Sequence, residues 1–311
     1  MMKRVYVFLC FLGILFFSNN VMAAQIFFDD FESSDLSSTN SDGFSWGNPN
    51  RTSLVTMDPD ADQGTCDGSE TGAYAIWNNG DICNFGGEEK DWTAKKGDIS
   101  MRFRYPAGES WAEQRFNMGG SYPELWIAYW IRIPTNYIHG TGGGGSVNQK
   151  FAAFWTVSYN DSVDPSCVLN FWPNNANDGG SRSTVVINNG GHQQSYDDFI
   201  EYPEDQGRWM HVVVRMKLSS SQGAQNGRLE WWRRWEGENS YTKLADITNI
   251  DWDVPSDSPG WSAGYLMGWA NGSYDENTEF LLDDFTMSTT DLRQGKDIVI
   301  NPPSNLEIDS N

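Results

Sequence analysis

Arg102, Arg104, Arg115, Arg132, Gln149, Lys150, Asn170 and Arg182 fall on or near stretches of alternating hydrophobicity, and Tyr129, Tyr137, His139, Tyr159, His192 and His211 lie in or beside them. Together these are the parts of one chemistry, elimination next to a carboxylate. A cation or amide neutralises the carboxylate, and a Tyr, His or Lys removes the proton beside it. The catalytic candidates for such a step are Tyr129, His139, His211 and Arg115. The candidates for holding a ligand are Arg102, Arg104, Arg115, Trp130, Arg132, Gln149, Lys150, Trp155, Asn170 and Trp172. If the strands that carry them lay side by side in one sheet, Arg102, Arg104, Arg115, Arg132 and Lys150 would converge on one face as a positive stripe. The plainer fate of any one arginine is an ion pair with one of the 42 acidic residues.

Trp126, Trp130, Trp155, Trp172, Trp231, Trp232 and Trp235 all fall on expected strands. Most must fill the space between two sheets. Trp231 and Trp232 are adjacent, as are Phe154 and Trp155, so one of each pair must point away from the core and face solvent or a groove, where an aromatic ring can stack on a sugar.

The elements that must position these residues are strands. The stretch Arg208–Gly237 is the most regular: Met210, Val212, Val214, Met216 and Leu218 alternate with His211, Val213, Arg215 and Lys217, and Leu229, Trp231 and Trp235 alternate with Arg228, Glu230 and Trp232. Asn226-Gly227 closes the polar link between them, which predicts a hairpin. Further strands are expected at Gln25–Phe31, Asp98–Tyr105, Glu113–Met118, Leu125–Ile133, Gln149–Val157, Val168–Trp172, Ser183–Asn188, Gly264–Ala270 and Glu279–Ser288, with Leu125–Ile133 apolar on both faces and therefore central. Gly142–Gly145 interrupts the series as a loop, Ile247–Ser262 reads as a Pro/Asp/Trp loop, and Tyr196–Tyr202 is the one place for a helical turn.

Met1–Ala23 has two cations, the apolar run Val5–Phe17 and a Val21-x-Ala23 end, which reads as a secretory signal cleaved after Ala23. Residues 24–296 make one large domain, and 297–311, with Pro302-Pro303, a polar tail or linker stub. The expected location is extracellular or periplasmic. A net charge of −21 disfavours nucleic acid and anionic membrane as partners. Of the cysteines beyond the signal, Cys66 and Cys83 flank a Gly/Asn-rich segment and are the expected disulfide, leaving Cys167 as a buried thiol.

The hairpin, with Trp209-x-His211 entering its first strand, Asn226-Gly227 before its second and Trp residues leading to Gly237, resembles the concanavalin A-like lectin/glucanase superfamily, especially its jelly-roll polysaccharide lyases and carbohydrate-binding relatives. The resemblance extends to the opening Phe28-Asp29-Asp30-Phe31-Glu32 and the closing Leu282-Asp283-Asp284-Phe285, which in that superfamily belong to neighbouring strands. It implies an all-β jelly-roll sandwich of two antiparallel sheets with a concave glycan groove. The implied function is secreted, lectin-like polysaccharide binding, with a lyase acting on a uronate-containing glycan as one alternative and an extracellular structural protein as another. The Glu-x-Asp-x-x-Glu strand of the superfamily's glucanases is missing, which argues against a hydrolase of that type. Gln114-Arg115-Phe116 and Gln149-Lys150-Phe151 partly echo the Arg-x-Glu and Gln-x-His strands of the lyases, without a His two residues after either Gln. Bringing the two chain ends together also places Asp29, Asp30, Glu32, Asp283 and Asp284 near one another, a set of hard oxygen ligands for a structural calcium ion.

Overall fold

The computed structural model describes residues 25–58, 76–78, 90–140, 147–159, 165–188, 192–253 and 259–293, with the backbone alone at 76–78 and 192–198. The expected signal segment, Cys66, Cys83, the glycine run and the C-terminal tail lie outside the described residues. Those described form sixteen strands and no helix.

The strands build two sheets. The first runs β14 (Thr242–Ile250), β13 (Gly227–Trp235), β12 (Trp209–Lys217), β7 (Glu124–Arg132), β16 (Thr278–Ser288), β5 (Ile99–Tyr105), β3 (Thr52–Thr56) and β4 (Ile76–Asn78), with β1 (Gln25–Asp29) also on β16. The second runs β11 (His192–Ile200), β10 (Ser181–Ile187), β9 (Ser166–Pro173), β8 (Gln149–Trp155), β15 (Trp261–Trp269), β6 (Trp111–Tyr122) and β2 (Ser45–Asn50). All pairings are antiparallel except β3 with the short β4. This is the expected all-β, two-sheet sandwich.

Alternation explains the core. In the β12–β13 hairpin, Met210 faces Trp235, Val214 faces Trp231 and Met216 faces Leu229, and all six side chains lie between the sheets. Burying each contributes roughly 1.5–3 kcal/mol, which holds the register against a one-residue slip. β7 is central, between β12 and β16, with Leu125, Ile127, Tyr129 and Ile131 inward. The chain ends meet as the alternation and resemblance require: Phe27 pairs with Met287 and Asp29 with Phe285. Cys167 is a buried free thiol.

Three local expectations are corrected. Tyr196–Ile200 belongs to strand β11, not a helical turn, because its backbone pairs along β10. β14 extends to Ile250, so the loop before β15 is shorter than the polar Ile247–Ser262 composition suggests. Trp232 and Trp155 do point away from the core, yet Trp232 is buried by stacking on Trp126 at 5.6 Å and by Arg293 at 4.2 Å from its ring centre, and Trp155 by Tyr159 and Tyr265. Adjacent aromatics therefore split between faces, but the outward member is roofed in both cases.

The five acids proposed for calcium do collect where β1 and β16 meet, and their oxygens are used on backbone and indole donors. Asp29 accepts from Phe31 N at 2.9 Å and from Trp46 Nε1 at 2.8 Å, Asp30 from Glu32 N, and Glu32 from Asp98 N and Ile99 N. Asp283 accepts from Lys95 N, Lys96 N and Asp284 N. Asp284 alone keeps a buried oxygen without a hydrogen bond. No group of three or more His, Cys, Asp or Glu among the described residues is arranged to hold a metal, so these carboxylates do not fit a calcium site and serve as loop fasteners.

Two histidines are held neutral by the packing. Nε2 of His139 faces the Val147 carbonyl oxygen at 2.9 Å, which can only accept, so that nitrogen carries the proton and Nδ1 accepts from Ser181 Oγ at 2.8 Å. Burial lowers His139 to about 4. His211 is lowered to about 3 by burial and then by Arg234 and Lys95.

Two predictions follow from these contacts. Asp29 on the first sheet and Trp46 on the second form a bridge between layers, so Asp29→Ala should lose about 1–3 kcal/mol of unfolding free energy, the cost of an unsatisfied buried donor. Asp29→Asn, which keeps an acceptor, should lose less; equal urea midpoints for Asp29→Ala and wild type would contradict the bridge. For the histidines, the unfolded chain takes up protons near pH 6.5, whereas folded His139 resists until about 4. Stability therefore falls as pH drops through that window, by about 2 kcal/mol at pH 5 from His139 alone. Buried Asp283, pushed up to about 8, works in the opposite direction, so the readout is the difference between variants: His139→Gln should flatten the pH 7 to pH 5 decline in urea stability. An unchanged slope would show that His139 is not the group responsible.

Candidate functional site

The two outer faces of the sandwich differ. That of the first sheet is roofed. Residues 90–97 cross it, with Trp92 buried and its Nε1 donating to Glu279 Oε2 at 2.8 Å, and with Lys95 N and Lys96 N on Asp283. The outer face of the second sheet presents partly exposed polar and aromatic side chains on β6, β8, β9 and β15.

At the centre of that face Lys150, Tyr159 and Tyr265 meet. Lys150 Nζ donates to Tyr159 Oη at 2.8 Å, and Tyr265 Oη donates to the same oxygen at 3.0 Å. Burial pushes the Tyr265 phenol well above its usual range, and Tyr159 adds to the shift, so Tyr265 keeps its proton. Tyr159 Oη thus accepts from an ammonium and a phenol, and negative charge on it would meet two donors. Trp155 packs against both tyrosine rings, at 5.5 Å from Tyr159 and 6.0 Å from Tyr265.

The backbone explains the meeting. Tyr265 pairs with Arg115 on one side and Ala153 on the other. Two residues later β15 is irregular: Met267 has φ 57° and Gly268 φ 138°. A Cβ at Gly268 would lie 2.9 Å from the Tyr265 ring and 3.2 Å from Lys150 Cβ, so glycine is what lets the two side chains close on this point. Beneath it, Tyr105 from the first sheet places its hydroxyl between the carbonyl oxygens of Gly268, at 2.8 Å, and Ala112, at 3.1 Å.

Around this centre lie three other groups. Arg115 Nε donates to Glu113 Oε1 at 2.5 Å, and Trp111 Nε1 to Glu113 Oε2 at 3.3 Å. Trp111 and Trp269 are cross-strand partners, 37% and 44% exposed, with ring centres 6.2 Å apart. Asn271 donates to Asn148 at 2.7 Å and Asn148 to Asn170 at 3.4 Å, a line of amides at the same end of the strands as Lys150. Lys150 pairs with Asn170, and Trp172 with Arg182 one strand further out. From β6 to β9 is three strand spacings, about 14 Å, wide enough for several sugar rings.

The sequence-based candidates sort accordingly. Arg115, Lys150, Trp155, Asn170 and Trp172 share the second sheet's outer face. Arg102, Arg104, Trp130 and Arg132 do not: they belong to the outer face of the first sheet, where Arg102 and Arg104 lie 3.6 Å from Glu279 and Arg132 binds Asp91 at 2.6 Å. The single positive stripe is therefore corrected. Its four strands divide between two sheets, β5 and β7 in one and β6 and β8 in the other. Gln149 is a buried brace, bound to Gly272 O and Tyr274 Oη. The four catalytic candidates are not brought together either. Tyr129 is buried between the sheets, His139 is buried with its ring on Ser181 and the Val147 carbonyl oxygen, His211 is on the first sheet's outer side, and only Arg115 is at this site. Glu113, Tyr265, Trp111 and Trp269 escaped the sequence reading. The period-two positions Ala263, Tyr265 and Trp269 were the available signal, blurred by the break at Met267–Gly268.

No protein-family model and no curated protein matches the chain. Similar solved structures include the alginate lyase Aly36B, as a variant in complex with an alginate tetrasaccharide, with 14% identity over 78% of this chain and 98% of that one and a TM-score of 0.46. The marine PL-14 alginate lyase from Aplysia kurodai has 11% identity over 63% and 84% of the respective chains and a TM-score of 0.48. The exoplasmic/lumenal domain of VIP36 in a Ca2+/Man3GlcNAc-bound form has 13% identity over 64% and 81%, with a TM-score of 0.39. Similarity this loose assigns no chemistry to any side chain of the present protein.

Proposed function

We propose that the outer face of the second sheet binds an acidic polysaccharide outside the cell and cleaves it by β-elimination. The observation that carries this reading is the double hydrogen bond into Tyr159 Oη from Lys150 and Tyr265, on a sheet face flanked by two exposed tryptophans. Tyr159, entering the step as a phenolate stabilised by the Lys150 ammonium and the Tyr265 hydroxyl, takes the proton from the carbon next to the uronate carboxylate. Arg115, the cross-strand neighbour of Tyr265, neutralises that carboxylate as charge develops, and the Asn148–Asn170 amides bind hydroxyls of a neighbouring sugar. The electron pair of the broken C–H bond forms the new double bond, the adjacent bond to the glycosidic oxygen breaks, and that oxygen leaves with a proton supplied by Lys150 or water. Tyr265, being buried, acts through Tyr159 and is a positioning residue. Hydrolysis by paired carboxylates is disfavoured because Glu113 is the sole carboxylate in β6, β8, β9 and β15.

A second reading, lectin-like binding without turnover, is favoured by the Trp111–Trp269 pair and the amide line, which suit sugar rings and hydroxyls whether or not a bond breaks. One set of measurements separates the two. With uronate polysaccharides the wild type should generate the ultraviolet absorbance of an unsaturated product. Tyr159→Phe should lower that rate by about 100-fold or more while leaving binding in place. Trp111→Ala and Trp269→Ala should each weaken binding by about 1 kcal/mol, roughly fivefold. Binding without product supports the lectin reading; neither binding nor product across uronate glycans contradicts both.

A further inference from the structure

The first sheet's outer face holds a cluster that elimination chemistry on the opposite face does not use. Arg234 on β13 lies between two aromatic rings, 5.7 Å from the centre of Trp130 and 5.0 Å from that of Tyr241. Lys95 stands over Trp130 at 4.6 Å. His211 is 4.8 Å from Trp130, ring to ring, and its Nδ1 meets Tyr241 Oη at 2.6 Å.

Several cations around the cluster are matched. Nearby, Lys95 pairs with Glu236 at 2.5 Å, Arg293 with Asp291 at 2.5 Å, and Arg215, Arg228 and Lys243 all with Glu230. The acids close to the cluster are thus engaged elsewhere, these with other cations and Asp283 with the backbone N–H groups of Lys95 and Lys96. Arg234 has no carboxylate within ion-pair distance and no hydrogen bond among the described residues, and its Nε is buried without a partner. In a chain with twice as many acids as basic residues, a half-buried guanidinium left without an anion stands out. Its planar fork suits a carboxylate or sulfate, which accepts two parallel N–H bonds. The flanking rings hold the guanidinium plane in place while giving it no acceptor, so it is oriented before any anion arrives.

We infer that Arg234, framed by Trp130 and Tyr241 and supported by Lys95, is a binding site for one oxyanion group, a carboxylate or a sulfate. The ligand is either a free small anion or an anionic substituent of an extended saccharide. Because the site is on the opposite side of the sandwich from Tyr159, a glycan chain held there would be tethered without entering the cleavage site. Its failure would leave the elimination reading untouched.

The test uses the full chain. Titration with sodium sulfate, against sodium chloride at equal ionic strength, is followed through the Trp130 indole N–H and the Arg234 Nε–H resonances. Saturable shifts at both with sulfate and not with chloride are expected; no sulfate-specific shift at either overturns the site. Arg234→Gln should weaken sulfate binding about tenfold, as expected for loss of a charge-assisted pair, and Arg234→Lys, which keeps charge but loses the fork, should fall between. If Arg234→Gln fails to fold, the native titration decides alone. A sulfated or uronate oligosaccharide that binds the Tyr159→Phe chain more tightly than sulfate, in a manner lost on Arg234→Lys, identifies a saccharide as the source of the anion. Equal affinity for sulfate and the oligosaccharide identifies a free anion.

Discussion

The hydroxyl of Tyr105 crosses the core to hold the backbone of the opposite sheet, and the candidate site depends on that crossing. Tyr105 ends β5 in the first sheet, is fully buried, and reaches Gly268 and Ala112 in the second. Burying a phenol has a cost unless its oxygen and hydrogen find partners. Satisfying it here fixes β15 at the point where its alternation breaks. The left-handed Met267 and the open φ of Gly268 then return Trp269 to the outer face and leave room for Lys150 beside Tyr265. A regular β15 would place a side chain where those two now converge. An interaction inside the sandwich thus arranges a constellation outside it.

The two outer faces solve different problems with similar residues. On the first sheet, tryptophans and cations are folded under residues 90–97 and against the 241 and 291–293 segments, and nearly every cation has a carboxylate. There the cation–aromatic contacts stabilise a roof over strands too apolar to be left in water. On the second sheet the same residue types stay accessible, with Glu113 paired to Arg115, Lys150 on the Tyr159 hydroxyl and two tryptophans left exposed. The overall charge of −21 therefore says little about either surface. What matters is which acids stand within a few ångströms of a given cation.

Much of the fold was legible in the sequence. The Arg208–Gly237 alternation, the doubled Asp-Asp-Phe at the two ends and the apolar Leu125–Ile133 run each describe a local periodicity, and each appears where expected. Strands β2 and β14 were not legible, because Ser45–Asn50 is interrupted by Pro49 and Thr242–Ile250 alternates with polar residues that favour no single reading. The site was legible only in part. Alternation tells which side of its own strand a residue occupies, but not which sheet the strand joins. Arg102 and Arg115 are both outward-facing, yet they lie on opposite sides of the molecule. Tyr265 was hidden for a different reason. Its position depends on Gly268, whose carbonyl oxygen accepts from Tyr105, 163 residues away in sequence, and no local pattern records such a contact.

The central claim is that a glycan lies across the second sheet's outer face. The measurement that addresses it most directly is a crystal structure of the Tyr159→Phe chain soaked with a uronate oligosaccharide. Density for a sugar chain crossing β6, β15 and β8, with one carboxylate near Arg115 and its ring-stacking contacts on Trp111 or Trp269, is the predicted result. Density confined to other surfaces, with this face left bare at saturating oligosaccharide, would contradict it.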